Sequence, residues 1–274
     1  MKKRPWGRFF YGGYALRLFC HFSIPVAMTQ SRPTAILSAL AEEQGGLVAH
    51  LENPQQVQRA GRVFWSGLLH GRPVVLGLSR IGKVAAATTT AALIEGFGVE
   101  RVLFTGVAGG VGPSVLVGDV VVGTGFVQHD MDASPLFPRF EVPLYGQTVF
   151  QGDALLTALL VQACQSALRS GGAEGAPVAV HQGLIASGDQ FVNGVQQSDA
   201  IVRSLQAQGH APLAVEMEGA AVAQVCADYG IPFAAVRTIS DRADDTAHVD
   251  FAQFVTQVAS VYAHKIVNEF LLSL

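Results

Sequence analysis

Val215-Glu216-Met217-Glu218-Gly219 follows the apolar approach Leu213-Ala214 and precedes a run of small and apolar residues ending at Tyr229. The approach has the composition of a strand and Gly219 to Tyr229 that of a helix, so two carboxylates fall where a strand meets a helix. In an open α/β sheet, ligands bind beyond the carboxyl ends of the strands. Amides at a helix start keep a carboxylate ionised. An ionised carboxylate only accepts hydrogen bonds, which suits a donor such as a sugar diol. Two acids serving helix-end electrostatics alone would read the same way, so the rest of the chain has to decide.

The pattern recurs outward from this stretch. Phe233 to Ile239, carrying Arg237, reads as a strand and runs into Ser240-Asp241; alone, Asp241 could be a helix cap. Thr34 to Leu40 reads as the first core strand and ends in Ala41-Glu42-Glu43, acids that could equally start a helix. Arg101 to Thr105 reads as a buried strand followed by Gly106-Val107-Ala108-Gly109-Gly110-Val111-Gly112. That is not the dinucleotide fingerprint. Such a glycine cluster either lets the backbone approach a flat or phosphorylated ligand or makes a tight turn. Gly118-Asp119 opens a further strand, Val120 to Val127. Val178 to Ala186 ends in Ser187-Gly188-Asp189-Gln190-Phe191-Val192, where Phe191 could stack on a heterocycle or simply anchor the loop.

Arg62 to Leu69 and Pro73 to Leu78 read as a hairpin. Helices are expected over 83–96, 153–170, 198–208 and from about Phe251 to Leu272. The alternation predicts one α/β domain over 34–274, with a mixed central sheet flanked by helices. Gly77 to Val84 nearly spells a P-loop, but Val84 replaces the hydroxyl that would hold magnesium. Triphosphate hydrolysis is therefore rejected, while the helix start at Lys83 can still place amides near a ligand.

Hydrophobic residues make up 50% of the 274 and charged residues only 14%, against about 25% in ordinary globular chains. That shortage of solvated residues points to surface hidden in an oligomer. The net charge is −3 with no basic stripe, which argues against a nucleic-acid partner. Cys20, Cys164 and Cys226 are far apart and form no CxxC pair, so neither a disulfide framework nor a zinc site is expected, and a reducing, cytoplasmic setting fits. No segment reaches the roughly 18 uncharged apolar residues that span a bilayer. Residues 1–33 read as an extension ahead of a start at Met28, with a cleaved export segment as the alternative. His129-Asp130-Met131-Asp132 has no metal-site spacing and reads as a loop. It leads into a stiff segment with Pro135, Pro138, Pro143, Phe137, Phe140 and Tyr145 that could close over an apolar substituent. No metal or cofactor is expected.

In this order, Ala41-Glu42-Glu43, Ser79-Arg-Ile-Gly-Lys83, Thr105-Gly-Val-Ala-Gly-Gly110, Ser187-Gly-Asp-Gln-Phe191, Val215-Glu-Met-Glu-Gly219 and Arg237-Thr-Ile-Ser-Asp241 resemble the nucleoside phosphorylase fold. Within it they resemble the methylthioadenosine/S-adenosylhomocysteine nucleosidases, over roughly residues 34–272. The resemblance implies that Glu43 activates the attacking water, Asp241 protonates adenine N7 and Arg237 helps position the water. It implies that Glu218 accepts the ribose hydroxyls with Met217 against the sugar, and that Phe191 stacks on the base while the Val192 backbone reads its edge. Ala108, Gly109 and Ser240 fall in the substrate-binding set, and Ile81 and Phe251 where the family lines the 5′ pocket. A homodimer with the His129 to Gly146 segment near the neighbouring site is also implied.

The chemistry fits these residue types. Breaking an N-glycosidic bond builds positive charge on the ribose and negative charge on the leaving base, so a base and an acid on opposite faces are needed. Asp241 must then stay protonated, which calls for burial or a like charge nearby. Two departures stand out. Val107 occupies a position where well-known bacterial members have Ser, and the 129–146 loop is longer and richer in proline. A phosphorylase would need cations at the anion site, whereas the first strand ends in Glu42 and Glu43 with only Arg80 nearby, so charge complementarity favours hydrolysis. Futalosine hydrolase, a nucleoside phosphorylase or a non-catalytic nucleoside binder on the same scaffold are the alternatives.

Overall fold

The computed structural model describes residues 31–171, 177–243 and 254–274. The sheet begins with β1 (Thr34–Ser38), buried along its whole length. It pairs in parallel with β4 (Arg72–Leu78) and β5 (Arg101–Gly110). A strand flanked on both edges and covered on both faces must be continuously apolar, as Ala35-Ile36-Leu37 is. A short 3-10 turn, Glu42–Gln44, leaves its end. The expected hairpin is β3 (Arg62–Leu69) with β4.

Two strands were not foreseen, β2 (Glu52–Arg59) and the three-residue β7 (Val149–Gln151). β2 pairs with β3 and is exposed at nearly every position; its polar sequence carries no alternating signal. The remaining strands are β6 (Val120–Gln128), β8 (Val180–Ser187), β9 (Pro212–Glu216) and β10 (Phe233–Asp241).

Among the described residues the sheet runs β10-β6-β8-β9-β5-β1-β4-β3-β2, with β7 beside β6 and β10 also pairing β5. The β10–β5 pairing closes β5, β10, β6, β8 and β9 into a ring. Parallel and antiparallel pairs both occur, as expected of a mixed sheet.

Helices cover both faces. α1 (Lys83–Phe97) packs on α4 (Gly219–Tyr229) on one side, and α2 (Ala154–Ala167) packs on α5 (Ser260–Ser273) on the other. α3 (Val195–Gln206) joins β8 to β9. Small residues make the first contact close: Ala86, Thr89, Thr90 and Ala92 of α1 and Ala220, Ala221 and Ala223 of α4 are all buried. The second face is larger in side chain, with Leu160, Ile266 and Phe270 fully buried. Truncating Phe270 to Ala should cost about 3–5 kcal/mol.

Two boundaries differ from expectation in ways that matter for the site. β5 continues through the glycine cluster to Gly110, so that cluster is strand rather than turn. It pairs in parallel with β10 and, at Gly109 and Gly110, antiparallel with β9. β10 likewise extends to Asp241. At the C-terminus, a π-turn at Val255–Ala259 precedes α5. Phe251 and Cys20, and with Cys20 most of the expected N-terminal extension, lie outside the described residues.

Candidate active site

Three carboxylates that are distant in sequence meet at one cavity of about 420 Å³, within the usual range for a small-molecule site. Glu43 arrives on the 3-10 turn after β1 and is 4% exposed. Its Oε2 accepts from the Ala39 and Leu40 amides at 2.8 and 2.7 Å, and its Oε1 from the Val107 amide at 3.1 Å. Burial raises its pKa above the ordinary glutamate value, opposed by these amides and by the Arg237 charge. Burial outweighs these donors, so Glu43 is more basic than a surface carboxylate.

Asp241 ends β10. Its Oδ2 accepts from Ser240 Oγ at 2.7 Å and its Oδ1 from the Ala243 amide at 2.8 Å. The glycines of β5 explain how both acids fit. A Cβ on Gly106 would stand 3.1 Å from Glu43 Oε1, and one on Gly109 would stand 2.9 Å from Asp241 Oδ1. Gly106 and Gly109 are about 10 Å apart along β5, so one strand makes room for both acids.

Glu218 sits between β9 and α4 and accepts the Gly82 amide at 2.8 Å. Burial, then the charge of Glu216, pushes its pKa up to about 8. Glu216 itself is saturated with donors. It accepts Arg237 Nη2 at 2.8 Å and Nε at 3.3 Å, the Gly219 amide at 2.8 Å, the Glu218 amide at 3.2 Å and the Ser187 hydroxyl.

Of the residues expected from sequence, Glu43, Glu218, Asp241, Met217 and Ser240 line the cavity. Ile81, Ala108, Gly109, Phe191 and Val192 line it too. Arg237 does not. It is 1% exposed, its guanidinium lies 4.0 Å from the Phe104 ring centroid, and its donors go to Glu216 and to the Phe104 and Val236 carbonyls. Its guanidinium thus stands behind the cavity wall, paired with Glu216, with its positive charge felt at Glu43. Glu216, Leu40, Gln190 and Val215 also line the wall; Glu216 could have been found from its place in the opening motif.

Two amides at the start of α1 are already taken by side chains. Gly82 N donates to Glu218, and Lys83 N donates to Asp189 Oδ1 at 2.8 Å. The 129–146 loop does not reach the cavity of its own chain. Phe140 is buried in a cluster with Val127 and Val192. Leu136 and Leu144 are instead exposed, at 84% and 91%. Among the described residues no group of three or more His, Cys, Asp or Glu is arranged to hold a metal ion. No helix there is long and apolar enough to cross a membrane.

This geometry agrees with what comparison finds. The model of the phosphorylase superfamily matches residues 33–272. The 5′-methylthioadenosine/S-adenosylhomocysteine nucleosidase of Chromohalobacter salexigens is 38% identical over 230 residues, 84% of this chain and 92% of its own. The aminodeoxyfutalosine nucleosidase of Helicobacter pylori is 36% identical over 211 residues, 76% of this chain and 85% of its own. The crystal structure of the 5′-methylthioadenosine/S-adenosylhomocysteine nucleosidase of Neisseria meningitidis, in complex with methylthio-immucillin-A, superposes with a TM-score of 0.79 at 36% identity. It covers 89% of this chain and all of that one. With a matching family model, relatives aligned over most of their length and a shared fold, the chain belongs to the phosphorylase superfamily, among its nucleosidases.

Proposed function

We propose that this protein hydrolyses the N-glycosidic bond of 5′-methylthioadenosine and S-adenosylhomocysteine, and of 5′-deoxyadenosine, releasing adenine. Glu43 takes a proton from water as the water oxygen bonds to C1′ of the ribose. The C1′–N9 electron pair leaves with the purine, and Asp241 gives its proton to N7. Glu218 holds the ribose hydroxyls against Met217, Phe191 stacks on the base, and the Val192 backbone meets its edge. Arg237 supports Glu216 and keeps positive charge behind Glu43. The observation that carries this reading is the convergence of Glu43, Glu218 and Asp241 on one cavity.

Hydrolysis rather than phosphorolysis is supported by charge. The acids crowd the site, and Arg80 directs its guanidinium to the Gly61 carbonyl at 2.8 Å. The test is adenine release from methylthioadenosine, S-adenosylhomocysteine, 5′-deoxyadenosine, adenosine and futalosine, with and without phosphate. Equal release in phosphate-free buffer is expected. Release that requires phosphate and yields a ribose 1-phosphate would overturn hydrolysis.

A second reading concerns the 5′ group. The similarity to an aminodeoxyfutalosine nucleosidase and the 55% exposure of Ile81 on the cavity wall favour a site open to larger substituents. Faster turnover of futalosine than of methylthioadenosine in the same panel would select it. The exposed Leu136 and Leu144 and the half-exposed Tyr145, with the low charge content, support a homodimer formed through the 129–146 loop; sedimentation of the full chain tests this. The buried free thiols of Cys164 and Cys226 fit a reducing compartment such as the cytoplasm, and the proposed reaction is one that serves methionine salvage.

A further inference from the structure

Two features of the sequence remain outside this chemistry: the lysine of the incomplete P-loop pattern, and the His129-Asp130 pair. In the structure they meet. Lys83 Nζ lies 2.5 Å from Asp130 Oδ1 and 3.1 Å from Gln128 Oε1, and 3.9 Å from Asp189 Oδ2. Asp130 Oδ2 accepts the Asp189 amide at 2.9 Å, and Asp189 Oδ1 accepts the Lys83 amide at 2.8 Å. The Lys83 and Asp130 side chains are only 15% and 25% exposed. Neither lines the cavity, nor does Asp189.

The next residues along the chain do. Gln190, Phe191 and Val192 form part of the wall, on a segment without regular structure between Ser187, the end of β8, and Val195, the start of α3. A loop without ladder hydrogen bonds is placed by whatever ties it to rigid elements. Here the ties are charge-assisted, the stronger kind. They join the loop to the first turn of α1, whose preceding amide holds Glu218.

We infer that Asp130 and Lys83 are positioning residues for the base-contacting loop, acting through Asp189. The inference rests on the proposed function, because it gives Phe191 and Val192 the purine as their ligand. Asp130 receives the loop amide and the lysine on separate oxygens. Removing it frees the Asp189 amide and leaves Lys83 Nζ without its close carboxylate partner. The consequence falls on binding of the base, since Glu43 and Asp241 are held by other strands.

Adenine binding by calorimetry and steady-state hydrolysis of methylthioadenosine, on the full chain, test this. Asp130→Ala should weaken adenine binding and raise KM by about tenfold, the scale of one charged hydrogen bond, with kcat within about threefold. Asp130→Asn keeps an acceptor oxygen for the Asp189 amide and should stay within about threefold of the unmodified chain, the worth of a partly exposed ion pair. Lys83→Met should fall between them, and serves in place of Asp130→Ala if that variant does not fold.

Adenine affinity in Asp130→Ala within about twofold of the unmodified chain would overturn the inference. So would a fall in kcat at constant KM, or an Asn variant as impaired as the Ala variant. An unmodified chain that releases adenine while these variants behave normally leaves the proposed function standing without the inference. One that neither binds nor releases adenine removes both.

Discussion

Arg237 Nη2 stands 2.8 Å from Glu216 Oε2, with the two side chains 1% and 2% exposed. Breaking a buried pair by removing one partner leaves a charge without compensation and typically costs about 3–5 kcal/mol. Glu216 also caps the first amides of α4. We therefore expect Glu216→Gln to lower stability by about 3 kcal/mol or more in urea unfolding. A midpoint unchanged from the unmodified chain would show that the pair contributes nothing net.

Glu43 and Asp241 supply the two proton transfers of the proposed reaction, each typically worth about 10² to 10⁴ in rate. Glu43→Gln and Asp241→Asn should each reduce kcat at least about a hundredfold. Burial raises the Glu43 pKa, so the rate should fall on acidification at a pH above that of an ordinary glutamate. Near-normal turnover in both variants would end the enzymatic assignment in this form.

Glu218 gives a pH dependence of stability whose sign follows from its shift, from 4.5 to about 8, by burial and the Glu216 charge. An acid whose pKa is raised on folding binds its proton more tightly in the folded state. That stabilisation is complete below about pH 4.5 and is lost as the pH rises through about 8. The ligand-free protein should lose Tm across this window, by roughly 2–4 °C per kcal/mol in a domain of this size. Glu43 acts in the same direction, so Glu218→Gln should flatten the profile in part. Melting curves of the two proteins with the same slope would contradict the shift.

Gly109 lies against Asp241. Adding a methyl group there puts a carbon 2.9 Å from Asp241 Oδ1 and 2.9 Å from Ala243 Cβ, closer than real Cβ contacts come. Gly109→Ala should displace the acid, and a misplacement of about 1 Å can cost about 10² in rate. A kcat within threefold of normal, measured on a variant with an unchanged melting curve, would mean that the acid does not depend on this space.

Much of the site was legible because its acids each follow an apolar strand: Glu43 after Ala35-Ile36-Leu37, Glu218 after Ala214-Val215, Asp241 after Ala234 to Ile239. The fold was legible for the same reason, since buried strands and helices of small residues have distinct patterns. The full length of β5 was hidden because glycine weakens a strand signal, although here it makes room for Glu43 and Asp241. The place of Arg237 was hidden because a charge reads as pocket or surface, and only the paired Glu216 takes it into the core. The Lys83–Asp130–Asp189 ties bridge 47 and 59 positions of sequence, and no local pattern carries that information.

β2, with its exposed side chains, pairs only with β3 among the described residues, so its outer rim presents unmatched peptide groups, a ready template for another chain to zip onto. Proline at position 54 removes one donor, the left-handed Asn53 and the slipped register up to Gln55 break the spacing, and Glu52 and Arg59 put a charge at each end. In a chain with only 14% charged residues, these features hinder fibril-like polymerisation along this rim.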